Sequence, residues 1–490
     1  MVAERVEFAW IHDDRLTQKC TGPLRLRRSA LRSYTGRGEV TPMDEDELVD
    51  KREFLKASGA ALTGSVLSRV LHAQGEPEPR TNWSGNYKYS TNNLLQPVNV
   101  EETQAMVRKC AHLRALGSRH SFNGIADSTY NQVAPAAMKS IELDAAAKTV
   151  TVGAGVRYGD LAPVIDAKGF ALHNLASLPH ISVAGAIATA THGSGLHNGN
   201  LATVVAGMEL VAADGQVVHL NGDKLKGAAV HLGALGVLTR VTLDVQPTYQ
   251  VAQTVYLDLP FAVLEHHLED VFGAGYSVSL FTDWQKGRAT QVWIKQRTDR
   301  KETALGVEFY GAKRATVKMH PIMGHPAEAC TEQLGIPGPW YERLPHFRMN
   351  FTPSSGHELQ TEYLLPLEHG YAAIRAVEEL RDQITPHLFV TELRTIDADD
   401  LWMSTAYQRR SLAIHFTWKP EWPAVRTILP HIEAKLEPFK ARPHWAKLFT
   451  VEPRYLEAQY ARLGDFKALA REYDPEGKFR NEYMRVNLYS

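Results

Sequence analysis

Cysteine is almost absent from this chain of 490 residues. Its three cysteines, Cys20, Cys110 and Cys330, lie far apart and include no CxxC pair. A disulfide framework requires several paired cysteines, and a cysteine-ligated metal site requires closely spaced ones. We therefore expect neither a disulfide scaffold nor a metal centre.

The chain also lacks an excess of either charge and lacks a long apolar run. Its 54 Lys and Arg nearly balance its 55 Asp and Glu, giving a formal net charge of -1. Such a balance provides no field that would attract nucleic acid or an anionic membrane. No stretch reaches the roughly 20 apolar residues that span a bilayer. We expect no nucleic-acid or membrane partner, and a small neutral substrate instead.

Residues 1–80 differ from the rest of the chain in being polar and, as far as Arg37, rich in arginine. The segment KREFLK at 51–56, followed by the small-residue run 57–67, resembles a twin-arginine export signal in which Lys51 replaces the first arginine. A disordered leader is the alternative. We expect a leader or extension at 1–80, and a cytoplasmic protein, or a periplasmic one if this leader functions in export.

From Thr81 onward the pattern predicts a globular protein with mixed secondary structure. Asn99 and Glu102 are spaced to cap a helix. The run KTVTVG at 148–153 is typical of a strand. Two further strands are predicted in a hairpin at 208–220, which turns at Asp214-Gly215. The length of the chain favours two or three domains.

The later part of the chain also combines strands with helices. Alternating residues predict strands at 291–295 and 412–418, and helical periodicity predicts a helix at 371–384. Such a mixture favours an α+β domain with a mainly antiparallel sheet, at roughly 248–443.

The segment LGSRHSF at 116–122 runs from a strand end into a turn of small polar residues. A pyrophosphate held without lysine requires several backbone N–H groups that converge from a tight turn, and Gly117 allows a close approach. His120 then stands beside the dinucleotide. Taken alone, a single histidine after a strand is more often a satisfied core or surface residue.

A second segment, ASLPHISVAGAIATATHGSG at 176–195, is rich in Gly, Ala, Ser and Thr. These side chains lack the bulk to form a core of their own, so the segment is expected to pack against something large and flat. Close packing of a helix on a strand is the structural alternative for Gly185 and Ala188.

Together these two segments resemble the FAD-binding domain of the vanillyl-alcohol oxidase family, and within that family the bacterial alditol (xylitol) oxidases. The similarity extends from TNWSGN at 81–86 to the C terminus and includes further motifs, namely GALGV at 233–237, YSVSLFTDW at 276–284, FTPSSG at 351–356 and GKF at 477–479. The resemblance implies an α+β fold with an FAD-binding domain at 81–247, a substrate-binding cap at 248–443, and a return to the FAD-binding domain at 444–490.

The resemblance also implies the cofactor site. His120 matches the histidine that bonds covalently to the flavin 8α position, so histidyl FAD is expected. The positions that correspond to FAD contacts are Ala115, Leu116, Gly117, Ser118, Arg119, His120, Ser121, Ser177, Ser182, Val183, Ala184, Gly185, Thr189, His192, Gly193, Val237 and His444.

For the substrate, the resemblance implies an oxidase that removes a hydride from the terminal C1 alcohol of an alditol such as xylitol or sorbitol, giving the aldose and hydrogen peroxide. The matching substrate-binding and catalytic positions are Ser177, Glu392, Arg394, His415, Thr417 and Lys447. Cationic Arg394 and Lys447 would stabilise the oxygen as it loses its proton. His415 would accept that proton or bind a neighbouring hydroxyl.

Several other functions remain to be weighed. A sugar-lactone oxidase or dehydrogenase would share the FAD motifs, and a flavin carrier with an inactive site is the non-enzymatic alternative. A nicotinamide fold at 152–159 is disfavoured because Tyr158 replaces the third glycine. His357-Glu358 lacks the second histidine of a zinc protease. We expect a monomer that acts on a small polyol and O2; the preferred alditol stays open.

Overall fold

The computed structural model describes residues 80–352 and 354–489. The twin-arginine-like segment and Pro353 of the FTPSSG motif lie outside the described residues. No helix in the described part of the chain is long and apolar enough to cross a membrane.

The first part of the described chain is a compact α+β arrangement around a five-stranded antiparallel sheet of order β4-β5-β9-β7-β8. A small parallel sheet of order β1-β3-β2 accompanies it. In chain order the elements are β1 (Leu94–Leu95), α1 (Val100–Lys109), β2 (Arg114–Ala115), β3 (Gln132–Val133), β4 (Ile141–Asp144), β5 (Thr149–Gly153), α2 (Tyr158–Asp166), β6 (Phe170–Ala171), α3 (Val183–Ala188), β7 (Val205–Val211), β8 (Val217–Asn221), α4 (Leu225–Ala228), β9 (Val237–Asp244) and β10 (Gln246–Pro247).

The second part contains a ten-stranded sheet, mainly of order β14-β15-β11-β13-β12-β18-β19-β17-β20, with β16 paired to β11. Every strand pair in it is antiparallel. Its elements are β11 (Gln250–Pro260), α5 (Leu264–Phe272), β12 (Ser277–Thr282), β13 (Arg288–Arg297), β14 (Glu308–Phe309), β15 (Ala312–Arg314), β16 (Gly338–Pro339), β17 (Leu359–Pro366), α6 (Gly370–Glu378), α7 (Arg381–Ile384), β18 (Leu388–Ile396), β19 (Ser411–Trp418), α8 (Trp422–Leu436) and β20 (Arg442–Pro443).

Three helices end the chain, α9 (Pro453–Gln459), α10 (Leu463–Tyr473) and α11 (Glu482–Leu488). Their apolar residues, including Leu456 and Phe466, join the same hydrophobic core as Val150 of β5 and Ile187 of α3. The last segment of the chain therefore packs with the first part rather than with the large sheet.

Strand alternation gives the large sheet two unlike faces. Apolar residues such as Leu393 and Ile414 point to one face, where they form a core with Ile374 of α6 and Leu429 of α8. The opposite face carries polar residues at intervening positions of β17, β18 and β19, namely Gln360, Glu362, Glu392, Arg394, His415 and Thr417, beside a few apolar ones such as Val390. This second face is free to line a cavity.

These elements confirm the α+β fold with a mainly antiparallel sheet in its second part. The capped helix begins as expected, with the Asn99 side chain accepting a hydrogen bond from the N–H of Glu102 at 2.8 Å. The single helix predicted at 371–384 is wrong: it is divided into α6 and α7. Leu380 separates them with φ -93° and ψ 7°, and its N–H bonds to Val377 in a tighter turn. The domain limits stay predictions.

Candidate active site

A cavity of about 240 Å³ lies between the two small-residue segments and the polar face of the large sheet. Most of the predicted site residues line it. Those are Ala115, Leu116, Gly117, Ser118, Arg119, His120, Ser121, Ser177, Ser182, Ala184, Gly185, Thr189, His192, Glu392, Arg394, His415, Thr417, His444 and Lys447.

Three predicted cofactor positions do not line the cavity. Val183 and Val237 are fully buried in two hydrophobic cores. Gly193 packs so closely against the Leu175 carbonyl and the Asn174 side chain that a Cβ there would clash with them. These residues support the walls of the cavity from behind.

Two serines join the small-residue segments at the cavity wall. Ser182 donates its backbone N–H to Ser118 Oγ at 2.9 Å, and its own side chain caps α3 by accepting from the N–H of Gly185. A Cβ at Gly117 would lie 2.8 Å from Ser182 Oγ, so a larger residue there would push the segments apart. Close approach of the two backbones therefore depends on the small residues that the sequence supplies.

Arg119 departs from ordinary backbone geometry, with φ 65°. The left-handed region costs a residue with a side chain roughly 1–2 kcal/mol. Its carbonyl accepts a hydrogen bond from the N–H of Trp83 at 2.8 Å, which ties the strained turn to the chain before α1. This turn aims the next residue, His120, along the cavity wall.

The His120 ring stacks on Trp83, with centroids 5.3 Å apart and planes 16° apart. Its Nδ1 lies 3.2 Å from Ser118 Oγ, whereas its Nε2 has no hydrogen-bond partner. Burial, followed by the nearby His180, lowers the pKa of His120 to about 4. At neutral pH the ring is thus an uncharged imidazole with a nucleophilic nitrogen.

The polar face of the sheet supplies the other end of the cavity. Strands β17, β19 and β18 are neighbours, and their register places Glu362 opposite His415 and His415 opposite Glu392. Two residues further along β18, Arg394 points to the same face. A buried row of titratable side chains is therefore fixed by strand pairing alone.

Glu362 is the centre of this row. Its carboxylate lies 2.8 Å from Lys447 Nζ and 2.5 Å from Arg394 Nη2. Burial by itself would raise its pKa, but the charges of Lys447 and Arg394 outweigh burial and hold the pKa of Glu362 well below 4.5. The glutamate is an anion between two cations, which fixes both cations in place.

His415 lies beside this cluster, with Nδ1 2.5 Å from Lys447 Nζ and Nε2 3.2 Å from Thr417 Oγ1. Burial and the positive charge of Lys447 lower the pKa of His415 to about 4. A protonated lysine only donates, so Nδ1 accepts and the His415 proton resides on Nε2. Arg394, on the same sheet face, donates from Nη1 across the cavity to Ser177 Oγ at 3.4 Å.

Both carboxylate oxygens of Glu392 have a charged or polar neighbour. Its Oε2 lies 3.7 Å from Arg394 Nε, and its Oε1 lies 2.8 Å from His346 Nε2. Burial alone would raise the pKa of Glu392, but the charge of Arg394 and the His346 contact lower it below 4.5. This carboxylate faces the cavity as a hydrogen-bond acceptor.

Sequence reasoning missed Glu362, Gln360, His346 and Lys295, which line the cavity or support it. Gln360 and Glu362 alternate along β17 with the core residues Leu359 and Tyr363. Polar residues at alternate positions of an otherwise apolar strand were the available signal.

His192, Glu362 and His444 have ligand atoms within 4.8 Å of one another, a spacing compatible with a metal ion. Two cations, Lys447 and Arg394, already bind the same glutamate and would repel a metal. We assign no metal there.

The cavity does suit a ligand with polar groups. Four buried nitrogen atoms on its walls have no hydrogen-bond partner. They are His120 Nε2, His192 Nε2, His231 Nε2 and Arg394 Nε. Unsatisfied buried polar atoms in a folded protein require an explanation, and here they converge on one space. The residues present therefore fit a cofactor with polar edges.

Comparison with known proteins agrees with this geometry. Residues 92–221 match the family described as FAD binding domain, and residues 353–487 match the family described as D-arabinono-1,4-lactone oxidase. By structure, the chain resembles cholesterol oxidase from B. sterolicum with TM-score 0.67 and 14% identity, covering 85% of this chain and 98% of that one.

Among curated proteins, an alditol oxidase from Streptomyces sp. is 48% identical over 411 residues, which cover 83% of this chain and 98% of that protein. An L-gulono-1,4-lactone dehydrogenase from Mycobacterium tuberculosis is 26% identical over 432 residues, with the same coverage of 83% and 98%. The chain belongs to the vanillyl-alcohol oxidase family of FAD-binding oxidoreductases.

Proposed function

We propose that this protein is an FAD-dependent alditol oxidase, which oxidises the terminal C1 alcohol of xylitol or sorbitol to the aldose. The observation that carries the proposal is the convergence of Glu392, Arg394, Thr417 and Lys447 on one cavity that also reaches His120. The 48% identity to an alditol oxidase supports the same reaction.

FAD would be held by the two small-residue segments and bonded covalently to His120. The neutral ring and its unpartnered Nε2 support a role as the nucleophile of that bond. When bound, FAD would supply the acceptor for the hydride removed from C1, and O2 would take up the two electrons and two protons to give hydrogen peroxide.

Lys447 and Arg394 would stabilise the substrate oxygen. The C1 alcohol loses a hydride from carbon and a proton from oxygen, so negative charge develops on that oxygen. Two buried cations beside it stabilise this charge more in the transition state than in the bound alcohol. Glu362 keeps both cations aligned through its ion pairs of 2.8 and 2.5 Å.

The remaining polar residues would bind the substrate hydroxyls. Glu392 offers carboxylate oxygens as acceptors, Thr417 and Ser177 offer hydroxyl groups, and His415 offers the N–H of Nε2. Because Nδ1 of His415 accepts from Lys447, we assign His415 to hydroxyl binding and to orienting Lys447, and the proton of the C1 hydroxyl would leave to solvent through the hydrogen-bonded groups of the cavity.

An oxygen-electrode and peroxide assay tests the proposal with a panel of xylitol, sorbitol, mannitol, glycerol and L-gulono-1,4-lactone. We expect peroxide release and anaerobic bleaching of the yellow chromophore with the alditols. The match of residues 353–487 to a lactone oxidase family makes the lactone the informative comparison. Preference for the lactone would replace the alditol assignment.

Bleaching also tests the non-enzymatic alternative, since a flavin carrier would keep its colour with every compound of the panel. The monomeric state and the cytoplasmic or periplasmic location stay predictions. Gel filtration of the purified protein tests the first.

A further inference from the structure

Lys295 is a buried charge that the proposed chemistry does not use. It lies on β13 with only 1% of its surface exposed. Its Nζ donates to the Leu344 carbonyl oxygen and lies 3.0 Å from Nδ1 of His346. Burial of an ammonium group is unfavourable unless its hydrogen-bonding capacity is used, so this placement requires a reason.

The contacts of His346 determine where its ring carries the proton. The ionised Glu392 carboxylate can only accept, so the ring hydrogen of His346 lies on Nε2, and Nδ1 accepts a hydrogen from Lys295 Nζ whether that group is charged or neutral. Nε2 donates its hydrogen to Glu392 Oε1 at 2.8 Å. The three residues form one directed chain of hydrogen bonds that ends on a carboxylate of the cavity.

Aromatic side chains hold the His346 ring in this orientation. Phe281 contacts it edge-on with centroids 5.5 Å apart, and Trp293 does so at 5.1 Å. The backbone N–H of His346 also donates to the Ser177 carbonyl at 3.0 Å. The aromatic contacts therefore fix the orientation of the His346 ring, and the backbone hydrogen bond fixes the position of the residue.

We propose that Lys295 and His346 form a buried relay that fixes Glu392 as a hydrogen-bond acceptor for the hydroxyl groups of the substrate. Oε1 is occupied by the relay, and Oε2 stays on the cavity side near Arg394. The inference rests on the proposed alditol oxidation. Lys295 and His346 are positioning residues, since they act through Glu392.

Burial and electrostatics agree with this geometry. Burial lowers the pKa of Lys295 to about 7, and the negative charge of Glu392 acts against that decrease. Burial and the charge of Lys295 lower the pKa of His346 to about 4, which keeps its ring neutral and able to accept from the lysine. A neutral His346 is the state that the relay requires.

The test uses the FAD-loaded enzyme and anaerobic stopped-flow reduction at varied xylitol concentration. Lys295→Met and His346→Leu should raise the half-saturating xylitol concentration about 10-fold or more, as expected for a lost hydrogen bond to a charged group. The limiting reduction rate should change by less than about 3-fold, since the relay does not touch the reacting oxygen. His346→Gln, whose amide can donate to Glu392, should restore most of the affinity.

A double-mutant cycle separates the relay from general damage to the fold. In a Glu392→Gln background the relay substitutions should cause little further loss of xylitol affinity, because their effect passes through Glu392. Arg297→Met is the matched control: it removes a buried cation from the same strand, and that cation pairs with Asp299 outside the cavity. We expect its half-saturating concentration to match the parent enzyme.

Unchanged affinity in Lys295→Met and His346→Leu overturns the relay. Additive losses of xylitol affinity in the Glu392→Gln background overturn it too. A loss of affinity in His346→Gln as large as that in His346→Leu has the same consequence. If Lys295→Met or His346→Leu retains no FAD, Lys295→Leu or His346→Met, whose side chains cannot donate a hydrogen bond from nitrogen, carries the same comparison. Failure of the parent enzyme to be reduced by xylitol would instead refute the proposed function.

Discussion

Replacement of Lys447 by methionine removes one charge from the proposed active site and little else. Lys447 Nζ lies 2.8 Å from Glu362 and 2.5 Å from His415, and 14% of its side chain is exposed. Methionine keeps most of the chain length. Glu362 retains Arg394 at 2.5 Å, so the buried carboxylate is still paired after the substitution.

The magnitude of the expected effect follows from this geometry. Loss of one donor to a developing negative charge typically costs about 100- to 1000-fold in rate, or about 2.7–4 kcal/mol. Loss of an exposed ion pair costs about 0–1 kcal/mol. Since Glu362 is not left alone, we expect Lys447→Met to fold, to retain FAD and to lose at least about 100-fold in the limiting rate of flavin reduction.

Anaerobic stopped-flow reduction with saturating xylitol measures this rate, and the absorbance of the bound flavin reports its content. Lys313→Met, at an exposed position of β15, is the control for the loss of a lysine. Near-normal reduction in Lys447→Met with normal flavin content would refute the role of Lys447. A large loss of flavin in that variant would contradict the claim that Arg394 is sufficient to hold Glu362.

Three further outcomes are expected. His120→Ala should release all FAD on acid precipitation while the parent retains it, and flavin still bound in the mutant pellet would refute attachment at His120. Thr417→Ala should mainly raise the half-saturating xylitol concentration, since a hydroxyl contact binds ground and transition states alike; an equal fall in limiting rate would contradict this. Burial lowers the pKa of His346 and His415 to about 4, against about 6.5 when unfolded. The unfolded chain thus binds more protons between these values, and stability should fall as pH drops from about 6.5 to 4; equal Tm at pH 7.5 and 5 would refute it.

Local sequence patterns were enough to predict elements whose determinants lie close together. The helix after Asn99 and the hairpin at Asp214-Gly215 are determined by residues a few positions apart, and both form as predicted. The prediction of one helix at 371–384 failed because the break at Leu380 involves no Gly or Pro that the sequence would reveal.

The cavity was predictable only where a motif covered it. The segments around His120 and Glu392 carried recognisable patterns, whereas Glu362 lies in a strand whose neighbours in the sheet come from residues 411–418 and 442–443. Lys295 lies at the end of the predicted strand 291–295, where a lysine is usually exposed to solvent. In the structure its Nζ is instead buried against the Leu344 carbonyl and His346 Nδ1. Long-range register brings these groups together, and local periodicity does not encode it.

In the proposed mechanism, the pairing of Glu362 with both cations would allow a neutral polyol and a developing anion to share one site. Burial lowers the pKa of Lys447, and the negative charge of the adjacent Glu362 acts against that decrease. With Glu392 and Glu362 balancing Arg394 and Lys447, a neutral alcohol enters without adding a lone charge to the buried site. As its oxygen becomes negative, the fixed cations are already in position, and no reorganisation of the protein is needed at that moment. In the proposed mechanism Glu362, which sequence patterns missed, is thus the residue that would make Lys447 and Arg394 usable for catalysis.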